Sequence, residues 1–149
     1  MHIFVNMATQ VDKCLLVFEE NVCNGKNPYA FERIESGGSR LTRTVSKGFT
    51  SHGCEKAGVP SHFVTFLKEM DTKNKLITFR GHRFNHFFYA AGATYHHLGD
   101  IKRFLGNWAD PNELLKSVAF DITEMVYKSS VRALGIINKM ITGPFMCWI

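Results

Sequence analysis

Phe84, Phe88, Ala91, Tyr95 and Leu98 recur at intervals of four, three, four and three. A helix with 3.6 residues per turn brings that series onto one face, whereas a strand would scatter it over two. The spacing therefore predicts a helix that must bury a full-length apolar stripe against its neighbours. Weaker series of the same period surround it. Val11, Leu15, Phe18 and Val22 predict a helix over 8–24, stopped by Asn24-Gly25. Asn27-Pro28 opens a short piece through Phe31 and Ile34 that Gly37-Gly38 breaks, and Leu41, Val45 and Phe49 follow as a helix carrying Arg40, Arg43 and Lys47. Ser61 is placed to cap a helix that uses Phe63, Phe66, Leu67 and Met70, and Asp100 to cap a short one through Ile101, Phe104, Leu105 and Trp108.

The sharpest local signal is Asp110-Pro111-Asn112-Glu113, an N-cap acid, a proline at the first helical position and a capping-box glutamate, leading into Leu114, Leu115, Val118 and Ile122. Val131, Leu134, Ile137 and Ile141 predict a last helix over 124–142, ended by Gly143-Pro144. Residues 76–79, LITF, resemble a strand but have no partner strand. The expected fold is mostly α, an irregular bundle of six to seven short helices. At 149 residues with 45% apolar and 21% charged side chains, the chain is expected to form a single helical domain over 1–149, with a looser part at 1–53 and the motif-bearing part at 54–149.

Charge narrows the partner class. Between Asp71 and Asp100 the chain has 28 residues without an acid, TKNKLITFRGHRFNHFFYAAGATYHHLG, holding Lys73, Lys75, Arg80, Arg83, four histidines and six aromatic rings. Cations interleaved with rings suit a polyanion that also offers flat surfaces, because the cations meet phosphates and the rings stack on bases. The competing reading is a core helix with solvated basic flanks. Periodicity divides the run: Phe84, Phe88 and Tyr95 belong to the inward stripe, while Phe79, Phe87, Tyr89 and His86 remain as candidate exposed rings. The expected nucleic-acid contacts are Lys73, Lys75, Arg80, Arg83 and His86, supported by Arg40, Arg43 and Lys47. The net charge of +5 is compatible with an anionic partner without requiring one.

Other chemistries find less support. His82 and His86 stand four apart, about 6 Å on one helix face, but His86 and His97 would lie about 16 Å apart and cannot share an ion. A third ligand would have to come from elsewhere, such as His52 or Cys54, and there is no CxxC pair, so no metal and no cofactor is expected. No GxSxG, P-loop or GxGxxG occurs, and His97 with Asp100 reads as a helix-end pair, so no catalytic residue is assigned. Cys14, Cys23, Cys54 and Cys147 are scattered behind a start, MHIFVNMATQ, without the marks of a secretory signal, which predicts reduced thiols in an intracellular setting, with the nucleus as a candidate compartment. No apolar run approaches the roughly 20 residues of a membrane span. The end, GPFMCWI, is apolar: it either docks into the core or marks a fragment of a longer polypeptide, and it is the candidate surface for self-association or another protein.

The run FRGHRFNHFFYAAGATYHHLGDIKRFL, followed by NELLKSVAFDI and VRALGIINKMITGP, resembles a group of transposon-derived animal proteins related to hAT-type transposases. In those enzymes an arginine-tryptophan-asparagine segment opens an all-helical insertion within an RNase H-like catalytic domain. Arg83-Phe84-Asn85 is the counterpart here, with phenylalanine in place of tryptophan. The resemblance covers roughly residues 54 to 147. It implies a helical fragment of a larger RNase H-like protein whose catalytic acids lie outside this chain. Phe84 lacks the indole donor and the larger stacking face, which counts against retained transposase chemistry. The function expected is that of a non-catalytic helical fragment binding DNA or RNA. The alternative is a protein-interaction or oligomerisation module, using Phe87, Tyr89 and the apolar C-terminus.

Overall fold

The computed structural model describes residues 2–23, 25–31, 34–50, 58–79 and 86–147. Helices α1 (His2–Val22), α2 (Gly37–Phe49), α3 (Pro60–Glu69), α4 (His86–Gly106), α5 (Glu113–Thr123) and α6 (Met125–Ile137) lead into a π-helical turn (Asn138–Thr142) and a final single-turn α7 (Gly143–Cys147). There is no strand among the described residues; 76–79 run extended and unpaired. An all-α fold is thus the architecture, as the periodicity predicts.

α4 and α6 form the most extensive helix pair, and α2 packs on α4, α5 and α6. Leu41, Val45 and Phe49 of α2 meet Phe88, Ala91, Leu98 and Ile101 of α4, with Leu115, Val118 and Ile122 of α5 and Val131 and Leu134 of α6 completing the core. At one end Phe49, Phe63 and Phe104 meet edge to face, with centroids 5.0 to 5.9 Å apart. Such pairs contribute about 0.5–1.5 kcal/mol beyond the area they bury.

Several local expectations change. Gly37-Gly38 does not break a helix but opens α2: Ser36 is the N-cap, and its hydroxyl accepts from Ser39 N–H. Side chains there would collide, since a Cβ on Gly37 would stand 2.2 Å from the Tyr127 ring and one on Gly38 2.6 Å from Ser130 Cβ. The described residues from Asn27 to Ile34 form turns rather than a helical piece. Asp100 starts no new helix because α4 runs through it, and Asn112 rather than Asp110 caps α5, accepting from Leu115 N–H at 3.0 Å. Asp110 instead takes a positive φ of 55° in the turn before it. α3 begins with Pro60 in its first turn, so Ser61 lies inside it rather than at its cap. Phe18 and Val22, expected on the inner face of α1, are exposed.

Polar groups fasten α1 to the bundle. Asp12 accepts from Ser36 N–H and Ser39 Oγ, and Glu19, seven residues later on the same face, accepts from Gly37 N–H, Gly38 N–H and Ser130 Oγ. The two carboxylates thereby satisfy donors that the first turn of a helix leaves open. Below them Arg40 grips Asp121 with two hydrogen bonds of 2.8 and 2.9 Å, Asn27 Nδ2 donates to the same carboxylate, and the guanidinium lies over the Tyr127 ring. Burial alone would lower the Arg40 pKa, but the hydrogen bonds and charge of Asp121 hold it above its ordinary value.

Candidate nucleic-acid interface

The described part of the connection between α3 and α4, residues 70–79, is pinned at two places. Ser46 Oγ accepts from Phe79 N–H and donates to the Ile77 carbonyl, fixing residues 77–79 on α2. Further back, Lys75 N–H donates to Nε2 of the wholly buried His97 at 3.0 Å. An acceptor at Nε2 places the ring proton on Nδ1, where it faces Asp100 Oδ2 at 2.9 Å. His97 and Asp100 are therefore a structural tether. Its result is that the Lys75 side chain projects beside α4, at a recess of ≈ 250 Å³ that it shares with Tyr89, His96 and Asn138.

That recess shares Tyr89, Gly92, His96 and Asn138 with a neighbouring cleft of ≈ 1000 Å³. One wall is α4, with Tyr89, Gly92, Tyr95 and His96; the other is α6 and the segment after it, with Arg132, Ile136 and Lys139. Among the described residues no acid lines either space. Lys75, Arg132 and Lys139 are exposed, and none is ion-paired to a described residue. Tyr89 and Tyr95 are 49% and 42% exposed, so both residues are partly open to a partner. Burial, Lys75 and His97 together lower the His96 pKa from its ordinary value, which favours an uncharged ring at neutral pH.

The floor is built by glycines. A Cβ on Gly135 would lie 2.9 Å from Gly92 Cα, so α4 and α6 touch backbone to backbone and their flanking side chains rise as walls. Immediately afterwards the helix widens by one residue per turn: Gly143 N–H bonds to the Asn138 carbonyl, five positions back. This π-turn changes the angular position of every later side chain relative to an uninterrupted α-helix.

A second cleft, ≈ 940 Å³ between α1 and α2, has the opposite character. Glu19, Glu20 and Glu35 face it against Lys26, and its Arg40 is engaged by Asp121. It suits no polyanion.

Lys73, Lys75 and His86 are exposed, and Lys75 lies at the acid-free cleft; Arg80 and Arg83 lie outside the described residues, as do His82, Phe84, His52 and Cys54. Arg40 and Arg43, expected as supporting phosphate contacts, are instead ion-paired to Asp121 and Glu35. Two aromatic assignments reverse. Phe87 is buried rather than exposed, and Tyr95 is exposed rather than core, because α4 turns Phe87, Phe88, Ala91 and Thr94 inward. Sequence reasoning missed Tyr95, His96, Arg132 and Lys139 as one surface. A signal for the last two was present: from Met125 to the end the sequence again has no acid, and Arg132 and Lys139 are seven apart, on one helical face. Among the described residues no group of three or more histidines, cysteines or acids is placed to hold a metal ion, and no helix is long and apolar enough to cross a membrane. Compared with known proteins, the chain matches no family model, no curated protein and no solved structure.

Proposed function

We propose that this chain is a non-catalytic helical piece of a transposase-derived protein that binds nucleic acid through the acid-free cleft between α4 and the C-terminal helical segments. The observation that carries the reading is the convergence of three cations, Lys75, Arg132 and Lys139, from separate parts of the sequence onto one surface that, among the described residues, has no carboxylate. Like charges gathered without counter-charges cost self-repulsion that an anionic partner relieves. Lys73 and, from the sequence, Arg80 and Arg83 extend the same basic run. The motif likeness supports the lineage, and an all-helical chain agrees with the helical insertion it implies.

Titration of a labelled oligonucleotide at several salt concentrations tests the reading. Each phosphate contact contributes about 0.7 (single strand) to 0.9 (duplex) to the log–log salt slope, so replacing Lys75, Arg132 and Lys139 by Ala together should flatten it by about 2. Binding that is absent at low salt, or a slope unchanged in the triple variant, would overturn it.

A second reading, a protein-interaction module, rests on the exposed Met140, Ile141, Phe145 and Met146 at the C-terminal end. Sedimentation at two concentrations separates the two readings. Concentration-dependent self-association that Ile141→Ser and Phe145→Ser abolish would favour the module.

A further inference from the structure

We infer that the nucleic acid accepted by the α4–α6 cleft is a single strand, whose bases stack on Tyr89 and Tyr95 while its phosphates follow Lys75, Arg132 and Lys139. This rests on the nucleic-acid reading above and narrows it to a substrate class.

The placement of the rings is the first reason. On a convex surface, exposed tyrosines could lie beside a duplex backbone. Here they stand on the wall of a concave cleft whose floor is the close approach of Gly92 to Gly135. A duplex keeps its base faces inside its own stack, so rings within a cleft gain nothing from it. A strand with splayed bases can insert them, and stacking tolerates any base because every base has a flat face.

The second reason is how the rings are held. Neither tyrosine hydroxyl is hydrogen-bonded to a described residue, so neither ring serves the fold through its polar end. Tyr89 and Tyr95 are six residues apart, about 9 Å along the axis of α4, and both line the cleft, which spaces two flat surfaces along the path of a strand. The cations sit at both margins: Lys75 on the connection before α4, Arg132 and Lys139 across the cleft. A single strand has one backbone, which can run along either margin and meet a cation there while its bases turn onto the rings, and no acid among the described residues lines that path.

The experiment compares fluorescence anisotropy of labelled oligo-dT and oligo-U with a blunt duplex of equal length, on the full chain at low salt. Single strands of either sugar should bind at least tenfold more tightly than the duplex. Tyr89→Ala and Tyr95→Ala should each weaken single-strand binding roughly tenfold, the scale of one lost stacking contact, and leave duplex binding unchanged. Tyr89→Phe, which keeps the ring, should retain wild-type affinity. Circular dichroism of each variant establishes that the helices persist, as expected for side chains half in solvent. Equal affinity for strand and duplex, with both alanine variants silent, would overturn this inference and leave the broader nucleic-acid reading standing. No binding of any oligonucleotide would overturn both.

Discussion

Two glycines meeting across a helix pair make opposite demands, although their sequence contexts do not show it. A Cβ added to Gly92 would sit 3.6 Å from Gly135 Cα, an ordinary contact, whereas one added to Gly135 would sit 2.9 Å from Gly92 Cα and 3.4 Å from its nitrogen. Alanine is better than glycine inside a helix by about 1 kcal/mol. Gly92→Ala should therefore raise stability by up to about 1 kcal/mol. Gly135→Ala meets backbone that cannot turn aside, and overpacking of about 1–3 kcal/mol should outweigh the propensity gain and leave a net loss. Urea denaturation of the two variants checks the opposite signs; two changes of equal sign would contradict the geometry. The same scale explains why Tyr95 was misplaced on the inward stripe. Spacing locates a face but not its edges, and the face of α4 that packs is centred on Phe87, Phe88, Ala91 and Thr94, which leaves Tyr95 at the margin. Half-buried Arg40 shows a comparable limit: in the sequence it is one more exposed cation of a basic helix, and only Asp121, 81 positions away, makes it a structural group.

At the level of elements, the docking of α1 depends on carboxylates placed on the amino end of α2. Burial pushes the Glu19 carboxyl above its usual range, while Ser130, Gly37 and Gly38 donate to it and pull back without cancelling the effect. A carboxyl raised in the folded state binds more protons there than in the unfolded chain, between its ordinary pKa and the raised one. Its contribution to stability thus grows as pH falls through that window and is lost as pH rises. Glu19→Gln removes this titration. Wild type should therefore gain stability relative to Glu19→Gln on acidification from neutral pH, whatever their difference at pH 7, and thermal denaturation along a pH series would show a shift in the other direction if Glu19 were instead stabilised by its charge. Helix existence was legible from period alone, because a buried face imposes it. Helix ends were less so. Gly37-Gly38 has the composition of a breaker and acts as a helix start, since Tyr127 and Ser130 leave no room for side chains and Glu19 satisfies the freed donors. Asp110 and Asn112 are both good caps by type, and the turn selects between them.

Across the whole molecule the two large clefts divide the charge, one bearing three glutamates and the other none. Retention on an immobilised polyanion should therefore depend on which cations are reversed. Arg132→Glu with Lys139→Glu should lower the eluting salt concentration substantially, while Lys13→Glu with Lys26→Glu, an equal change in net charge on the α1 side, should lower it much less. Equal shifts would mean that net charge alone governs binding. Severing the internal ion pair tests the scaffold instead: Asp121→Ala strands the Arg40 guanidinium, 13% exposed, and should cost about 3–5 kcal/mol, measured by denaturant titration. The sequence by itself determined the all-α class, the main helices and the acid-free run, because period and composition are properties of neighbouring residues. Tertiary structure alone decided that Lys75, Tyr89, Tyr95, Arg132 and Lys139 share one surface while Arg40 and Arg43 are withdrawn into ion pairs. The physical reason is that a site depends on distances between residues far apart in the chain. Those distances are set here by the backbone contact of α4 with α6 and by the His97 tether of the preceding connection.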